Sequence, residues 1–259
     1  MEDLILFEMK DQVAFITLNR PKAFNSFNRP MALQLQAILD QCEKDENVRA
    51  ILITGNGRAF CAGQDLKEVT AEGGPSLTKI INEHYNPIIQ RIRNIEKPII
   101  CSVNGVAAGA GANIALACDI TLAAQSASFI QAFSKIGLIP DSGGTYFLPR
   151  IIGRQKATAL MMLGDKIMAE EAESMGMIYK ACPDETYAEE ALALATKLSK
   201  MPTVGLGLTK RALNKSLTND LDKQLAVEDL LQTAASNTYD YKEGVQAFLE
   251  KRAPEFKGK

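Results

Sequence analysis

The strongest constraint on the fold is a set of short apolar runs that alternate with helix-like segments. AILITG (50–55) and PIICSVNG (98–105) are rich in β-branched residues and end at a glycine, as strands buried on both faces do. DITLAA (119–124) and MIYKAC (177–182) are strand-like segments that each follow a helical one. Strands that alternate with helices predict an α/β fold in which crossover connections join parallel strands.

The amino-terminal part adds a predicted hairpin, and the carboxyl-terminal part is predicted to be helical. Runs 4–9 and 12–18 have the composition of two β-strands joined by a short link. Every segment after Asp184 has apolar residues at helical spacing. We therefore divide the chain into a core of residues 1–200, which carries the site, and a helical region of residues 201–259.

Composition and charge limit which classes of binding partner are expected. The 259 residues contain 29 Lys and Arg against 31 Asp and Glu, without a basic arm, so nucleic acid and membranes are not expected partners. No stretch approaches about 18 uninterrupted apolar residues, and the start MEDLILFEMK lacks the features of a signal peptide, so we expect a cytoplasmic location. The five cysteines have no C-x-x-C spacing, which predicts free thiols and no metal site.

The single histidine, His84, limits nucleophilic catalysis. A Ser-His-Asp or Cys-His system would depend on this residue alone. It lies in the polar, helix-like stretch TKIINEHYNPIIQRI, and we expect it at the surface.

Two glycine-bearing loops are candidate ligand sites. In NGRAFCAGQDLKE (56–68), Gly63 lies between a strand exit and a helix that Asp65 caps, and in NGVAAGAGANIALACD (104–119), glycines such as Gly109 precede good helix formers. Each loop lets the backbone approach a ligand closely and directs the free N–H groups of a helix start toward it. Neither loop has a dinucleotide or P-loop fingerprint. The alternative is that the glycines only allow close helix–strand packing.

A lone carboxylate, Asp141, lies in the largely apolar segment IPDSGGTYFLP (139–149). A carboxylate among apolar neighbours is costly unless it is hydrogen-bonded, paired or used. Burial would favour its neutral form and suit it to carry a proton near neutral pH. The alternative is that Asp141 is the N-cap of a helix that begins at Ser142.

Five motifs, in this order and across nearly the whole chain, resemble the crotonase, or enoyl-CoA hydratase/isomerase, family: NRPKAFNSF, FCAGQDLKE, NGVAAGAGANIALACDI, QAFSKIGLIPDSGGTYFLPR and FLEKRAPEF. AFSKIGLIPDSGGT and PTVGLGLTKRALN are most similar to members that rearrange a ring epoxide of an aromatic acyl-CoA. The resemblance implies a crotonase-like spiral of ββα repeats, with carboxyl-terminal helices that support a homotrimer or a hexamer made of two trimers. It also implies an acyl-CoA thioester substrate, of which coenzyme A is a part, and no further cofactor.

Matching of the motifs assigns the site residues. The thioester oxygen is expected to be held by the backbone N–H groups of Gln64 and Ala110, whose side chains are incidental, and such a donor is typically worth about 3–4 kcal/mol. The set expected along the CoA moiety is Ala23, Ala62, Asp65, Leu66 and Lys67, with Phe248 and Lys251 reaching a nucleotide held by a neighbouring subunit. For Lys22 and Lys251, an ordinary solvated cation is the alternative.

At two positions the sequence departs from the family pattern, and these departures exclude some of the family's reactions. Family hydratases use two glutamates around one water, and the matching positions here are Asn113 and Phe133, neither of which exchanges a proton. Single-glutamate isomerases of the family place their base at the Phe133 position, so that variant is excluded too. Asp141 matches a catalytic aspartate of other members, which favours catalysis over capping. Phe133, Ile136 and Leu138 are expected to line a ring-sized pocket, and Asn113 to orient substrate or water, or only to pack.

The sequence thus predicts an acyl-CoA isomerase in which Asp141 moves a proton, and with it a double bond or a ring-epoxide bond, giving an oxepin-CoA in the epoxide case. A hydratase in which Asp141 and a bound water replace the missing glutamates is the second hypothesis. A non-catalytic oligomeric protein that binds acyl-CoA or RNA is the third, and the acidic balance counts against RNA. A nucleophilic Asp141, as in CoA-linked dehalogenases, is disfavoured because the tryptophan and histidine of that ring pocket are absent.

Overall fold

The computed structural model describes residues 3–259 and, within that range, contains ten β-strands in two sheets. The strands are β1 (Ile5–Lys10), β2 (Val13–Leu18), β3 (Ala50–Gly55), β4 (Ala59–Cys61), β5 (Ile99–Val103), β6 (Val106–Ala108), β7 (Ile120–Ala124), β8 (Ser128–Ile130), β9 (Lys166–Met168) and β10 (Lys180–Cys182). The larger sheet has the order β1-β2-β3-β5-β7-β10, and the smaller sheet the order β4-β6-β8-β9.

Helices surround both sheets. The α-helices of the described range are α1 (Arg29–Lys44), α2 (Leu66–Thr70), α3 (Leu77–Ile80), α4 (Asn86–Asn94), α5 (Ala110–Ala117), α6 (Gly144–Ile152), α7 (Arg154–Leu163), α8 (Ala169–Ser174), α9 (Tyr187–Ser199), α10 (Thr203–Ser216), α11 (Leu221–Ser236) and α12 (Tyr239–Glu250). A π-helical turn, Ile81–Tyr85, joins α3 to α4, and two 3₁₀ turns occupy Pro21–Ala23 and Ala132–Ile136. Turns of the π type interrupt the regular helical period and are frequent at functional sites.

A strand pair repeats three times along the chain. In the pairs β3 and β4, β5 and β6, and β7 and β8, the first strand joins the larger sheet and the second joins the smaller one. The strands of successive pairs are parallel in both sheets, and helical elements follow each pair. This arrangement is the predicted spiral of ββα repeats. The predicted hairpin is β1 and β2, which pair antiparallel.

The central strands of the larger sheet, such as β3 and β5, are covered on both faces, which is why they are continuous apolar runs. Along β3, Ile51 and Ile53 belong to the main core, which includes Leu35 and Leu39 of α1. The alternate residues of β3, Ala50 and Leu52, pack in a second cluster that contains residues of α9. Successive strand side chains point to opposite faces, so one strand supplies both clusters.

Buried cations connect the helices after residue 200 to the rest of the molecule. The Arg49 guanidinium, 5% exposed, donates to the Thr203 hydroxyl at 2.9 Å and to the Met201 carbonyl at 2.6 Å. The Lys210 ammonium of α10 donates to a carboxylate oxygen of Asp119 at 2.8 Å. The predicted boundary between residues 1–200 and 201–259 falls between α9 and α10, and the division into two regions stays a prediction. The hydrogen bonds of Arg49 and Lys210 cross this boundary.

One predicted strand is shorter than expected. In MIYKAC, only Lys180–Cys182 form a strand, because the N–H of Met177 donates to the carbonyl of Ala172 at the end of α8. The five cysteines are buried as free thiols. No helix in residues 3–259 is both long enough and apolar enough to cross a membrane.

Candidate active site

A cavity of about 220 Å³ lies where the turns after β4, β6 and β8 meet. Most of its wall is apolar, and polar groups come from Gln64, Tyr85 and Asp141. Its lining consists of Ala62, Gly63, Gln64, Leu66, Val69, Leu77, Ile80, Ile81, Tyr85, Gly109, Ala110, Ala132, Phe133, Ile136, Leu138 and Asp141. An apolar cavity with a few convergent polar groups is the usual form of a small-molecule site.

A wider groove of about 830 Å³ lies between α10 and α11. Glu228 and Asp229 are among its lining residues, but none of the predicted site residues lines it. The cavity at the strand ends is therefore the candidate active site.

The backbone N–H of Gln64 is free because the peptide units around it are fixed to another segment. The Gly63 carbonyl accepts a hydrogen bond from the Phe27 N–H at 2.7 Å, and the Asp65 N–H donates to the Phe27 carbonyl at 2.8 Å. In a trans peptide the N–H lies opposite the C=O, so the Gln64 N–H is directed away from Phe27. It has no acceptor within residues 3–259.

The second free donor is the N–H of Ala110, the first residue of α5. The Gly109 carbonyl accepts from the Asn113 N–H at 3.2 Å, which directs the Ala110 N–H out of the helix start. The positive end of the helix dipole lies here, so negative charge is favoured. Gly109 has φ +55° and ψ −126°, a conformation that suits glycine.

The two loops approach each other too closely for larger residues. A Cβ placed on Gly63 would lie 3.1 Å from the Ala108 carbonyl oxygen and 3.5 Å from the Ala110 nitrogen. A Cβ on Gly111 would overlap the carbonyl oxygen of Cys61. The glycines thus allow close packing and also bring two unpaired N–H groups to one cavity. Such a pair can bind an oxygen that gains negative charge.

Asp141 lines the cavity and does not cap a helix. Helix α6 begins at Gly144, whose N–H donates to the backbone carbonyl of Asp141 at 2.8 Å rather than to its carboxylate. The capping alternative is therefore wrong. One carboxylate oxygen accepts from the Ser142 hydroxyl at 2.8 Å, and the other has no protein partner in the described chain. Burial raises the pKa of Asp141 above its ordinary value, and the Ser142 hydrogen bond opposes this shift.

Asn113 lies behind the cavity wall instead of lining it. Its side chain is fully buried. Its Nδ2 donates to the backbone carbonyl of Asp141 at 2.8 Å, and its Oδ1 accepts from Nε2 of Gln131 at 2.8 Å. The expectation that Asn113 contacts substrate or water is not met, because both of its polar groups hold protein neighbours. Its position instead fixes the segment that carries Asp141.

The predicted ring-pocket residues other than Asn113 are brought to the cavity. Phe133 is buried, and its ring lies 3.8 Å from the place a Cβ would take on Gly109. Ile136 and Leu138 are 55% and 39% exposed, so they form the more open part of the wall.

Only two of the residues expected along the CoA moiety, Ala62 and Leu66, line the cavity. Asp65 accepts from the Arg20 guanidinium at 2.9 Å and from the Lys67 N–H at 3.0 Å, so its carboxylate is engaged within the protein. This second contact caps α2, as predicted.

The remaining expected CoA contacts lie outside the cavity. Ala23 lines a separate surface cleft together with Arg20 and Lys22. Phe248, on α12, is 83% exposed, and Lys251 follows the end of that helix. Neither of these two residues lines the cavity of its own chain.

Tyr85, in the π-helical turn, is a cavity residue that is not among the predicted site residues. Its side chain is 1% exposed, its hydroxyl donates to Oε1 of Gln64 at 3.0 Å, and its ring packs edge-on against Phe27 with centroids 5.9 Å apart. Burial raises the pKa of Tyr85 well above the usual value, which keeps the phenol neutral. The extra residue of the π-helical turn shifts the spacing of the buried side chains, so a search for apolar residues at regular helical spacing does not find Tyr85.

The prediction of a surface position for His84 is wrong. Its side chain is fully buried, and neither ring nitrogen finds a hydrogen-bond partner in residues 3–259. Burial lowers the pKa of His84, and the charged groups that modify this effect are Glu68, Arg29, Glu83 and Lys79. His84 does not line the cavity.

Comparisons with known proteins identify the family of this chain. The enoyl-CoA hydratase/isomerase family model matches residues 8–259. The chain belongs to the enoyl-CoA hydratase/isomerase family. It is 49% identical, over 100% of both chains, to the 1,2-epoxyphenylacetyl-CoA isomerase of Escherichia coli (strain K12). It is also 36% identical, again over 100% of both chains, to the 2,3-dehydroadipyl-CoA hydratase of that organism.

Solved structures of family members have the same fold. The enoyl-CoA hydratase from Bacillus anthracis superposes with a TM-score of 0.92 at 34% identity, covering 99% of this chain and 100% of that one. The predicted fold class and the assignment as an enzyme of this family are thereby confirmed. Members of the enoyl-CoA hydratase/isomerase family act on acyl-CoA thioesters. Because the relatives include both isomerases and hydratases, the site residues have to distinguish the two reactions.

Proposed function

We propose that this enzyme is an acyl-CoA isomerase that rearranges a ring epoxide, with Asp141 as the proton carrier. The observation that carries the proposal is the environment of this residue. Among residues 3–259, Asp141 is the only carboxylate that lines the cavity, and one of its oxygens is free of protein partners. The similarity to a 1,2-epoxyphenylacetyl-CoA isomerase supports an aromatic ring epoxide as the substrate.

The proposed reaction needs one base and one oxyanion site. Ionised Asp141 takes a proton from the carbon next to the thioester carbonyl, and the electron pair moves onto the carbonyl oxygen. The N–H groups of Gln64 and Ala110 stabilise this charge, at about 3–4 kcal/mol for each donor. Asp141 then returns the proton to a ring carbon as the double bonds shift.

The epoxide rearrangement leaves the molecular formula unchanged. The carbon–carbon bond shared by the epoxide and the six-membered ring opens, which gives the seven-membered oxepin ring, and the proton shift brings the new double bonds into conjugation with the thioester. The pair of electrons stays within the substrate, so the proposal needs no metal or redox cofactor. The raised pKa of Asp141 suits a group that both accepts and returns a proton.

A hydratase is the second candidate, favoured by the similarity to 2,3-dehydroadipyl-CoA hydratase. In that reaction Asp141 would activate a water and a second group would protonate the substrate. Asn113 is committed to protein partners, and Phe133 has no polar atom, so neither supplies the second group. These two residues favour the isomerase.

We also propose that a neighbouring subunit completes the CoA site. Arg20, Lys22 and Ala23 surround a surface cleft suited to part of the CoA moiety. Exposed apolar side chains on α11 and α12, among them Leu230 at 67% and Phe248 at 83%, support assembly into trimers or hexamers. Phe248 and Lys251 would then contact a nucleotide bound mainly by the neighbour.

The test is an Asp141→Asn variant assayed with a panel of acyl-CoA substrates, including a ring epoxide. We expect the variant to bind acyl-CoA and to lose isomerisation, while Asp222→Asn on the exposed surface of α11 keeps it. Mass spectrometry and NMR identify the products, because isomerisation leaves the mass unchanged whereas hydration adds a water. Retained turnover in Asp141→Asn would remove Asp141 from its role, and a hydrated product from the wild type would favour the second candidate.

A further inference from the structure

We infer that Tyr85 is a positioning residue, which acts through the side chain of Gln64 to hold the backbone N–H of Gln64 on the thioester oxygen. The inference rests on the proposed function only in taking that oxygen as the ligand of the N–H. It also changes the sequence-based view that the side chain of Gln64 is incidental.

A continuous set of hydrogen bonds holds this side chain, and we name Tyr85, Gln64 and Glu68 the Gln64 clamp. The Tyr85 hydroxyl donates to Oε1 of Gln64 at 3.0 Å, and Nε2 of Gln64 donates to Oε2 of Glu68 at 2.9 Å. The other Glu68 oxygen accepts from the backbone N–H of Arg29, the first residue of α1, at 2.8 Å. The amide of Gln64 is thus fixed between the π-helical turn and the start of α1.

The two oxyanion donors differ in how much support their backbone has. Ala110 is the first residue of α5, and helical hydrogen bonds hold its peptide unit in place. Gln64 lies outside any helix or strand, directly after Gly63, whose φ is +90°. Its neighbouring peptide units bond only to Phe27. The Gln64 clamp therefore restrains Gln64 in the way that the hydrogen bonds of α5 restrain Ala110.

Tyr85 is itself rigid enough for this role. Its side chain is 1% exposed, and its ring packs edge-on against Phe27, the residue that binds the peptide units on either side of Gln64. Tyr85 and Phe27 thus hold Gln64 through its side chain and its backbone. The hydroxyl gives its single proton to Oε1 of Gln64 and has none left to donate to a substrate, so we expect its effect on the reaction to pass through Gln64.

The first experiment compares Tyr85→Phe with Tyr179→Phe, which makes the same chemical change at a residue that is 66% exposed and outside the cavity. Loss of one oxyanion donor lowers kcat by about 10²–10³-fold, so we expect a loosened donor to lower kcat by about tenfold or more. The KM of Tyr85→Phe should change little, because the N–H acts mainly when charge develops. An unchanged kcat in Tyr85→Phe would overturn the inference.

A double-mutant cycle tests whether Tyr85 acts through Gln64. Gln64→Leu keeps the backbone N–H but cannot accept the hydroxyl proton, so the double variant should be no slower than Gln64→Leu alone. Additive losses would overturn the inference. Glu68→Gln removes the charge at the other end of the clamp and serves as a second variant if Tyr85→Phe fails to fold.

A spectroscopic measurement separates this inference from the proposed function, because it requires no turnover. Butyryl-CoA with a ¹³C-labelled carbonyl is bound to each protein, and the carbonyl stretching frequency is recorded by difference infrared spectroscopy. The wild type should lower this frequency, and Tyr85→Phe should return it part of the way to the value of free butyryl-CoA. A frequency equal to wild type in Tyr85→Phe overturns the clamp alone, whereas no lowering in the wild type overturns the oxyanion site and the proposed function with it.

Discussion

Replacing Gly63 by alanine should nearly abolish the reaction while the protein stays folded. Gly63 has φ +90°, where an alanine is strained by about 1–3 kcal/mol. The new Cβ would lie 3.1 Å from the Ala108 carbonyl oxygen and 3.5 Å from the Ala110 nitrogen, so the two loops must separate by a few tenths of an ångström. Both proposed oxyanion donors, the N–H groups of Gln64 and Ala110, lie on these loops.

The expected loss of activity follows from the donors. If the separation removes one N–H from the thioester oxygen, the transition state loses about 3–4 kcal/mol, which lowers kcat about 10²–10³-fold. The strain acts on the free energy of unfolding, and it is smaller than the margin of about 5–15 kcal/mol that holds most domains together. The variant should therefore be folded and nearly inactive.

Gly73→Ala is the matched control, because Gly73 also has a positive φ, of +72°, but no atom lies within 4 Å of the added Cβ. In urea unfolding both variants should be folded, with the larger loss of stability in Gly63→Ala because only its Cβ meets neighbouring atoms, and acyl-CoA isomerisation should fall only in Gly63→Ala. Equal kcat values for the two folded variants would refute the assignment of these loops to the oxyanion site.

Three further perturbations test other parts of the structure. The wild type should lose stability on acidification partly through His84, and His84→Leu should remove that part. Burial holds the pKa of His84 below 6.5, so the unfolded chain binds the proton first as the pH falls through 6.5. Urea unfolding on both sides of that pH measures the difference. An equally steep loss in the variant would contradict this prediction. Asn113→Leu removes one of the two donors to the Asp141 carbonyl and leaves the buried Nε2 of Gln131 without its acceptor. We expect a loss of about 1–3 kcal/mol in urea unfolding and a lower kcat; wild-type kcat would show that Asn113 does not position Asp141. Lys210→Met leaves Asp119 without its closest cation, and we expect about 3 kcal/mol of destabilisation in urea unfolding. If the loss were smaller than that of the exposed Lys223→Met, the Lys210–Asp119 contact would not stabilise the attachment of α10.

The central strands of the larger sheet could be predicted because burial on both faces leaves a continuous apolar signal, as in AILITG for β3. The smaller sheet could not. Its strands β4, β6, β8 and β9 have three residues each, too few to show an alternation, and their pairing depends on the placement of the repeats.

The residues of the candidate site that lie in recognisable motifs could be predicted from the sequence. Gln64, Ala110 and Asp141 follow glycine-bearing or apolar motifs that can be found in the sequence, and all three line the cavity. Tyr85 and His84 lie in a π-helical turn, whose extra residue changes which side chains face inward. That change arises from packing against α1 and the cavity wall, so local sequence does not reveal it.

The parallel order β4-β6-β8 has a consequence for how such an enzyme can acquire new reactions. Parallel neighbours end at the same sheet edge, so three turns open side by side onto the substrate. The first two contribute the main-chain N–H groups of Gln64 and Ala110, whereas the third and the segment after it contribute Phe133 and Asp141. Under the proposed function, recognition of the thioester and the choice of reaction depend on separate stretches, so exchange of residues 131–141 between relatives should alter the second without the first.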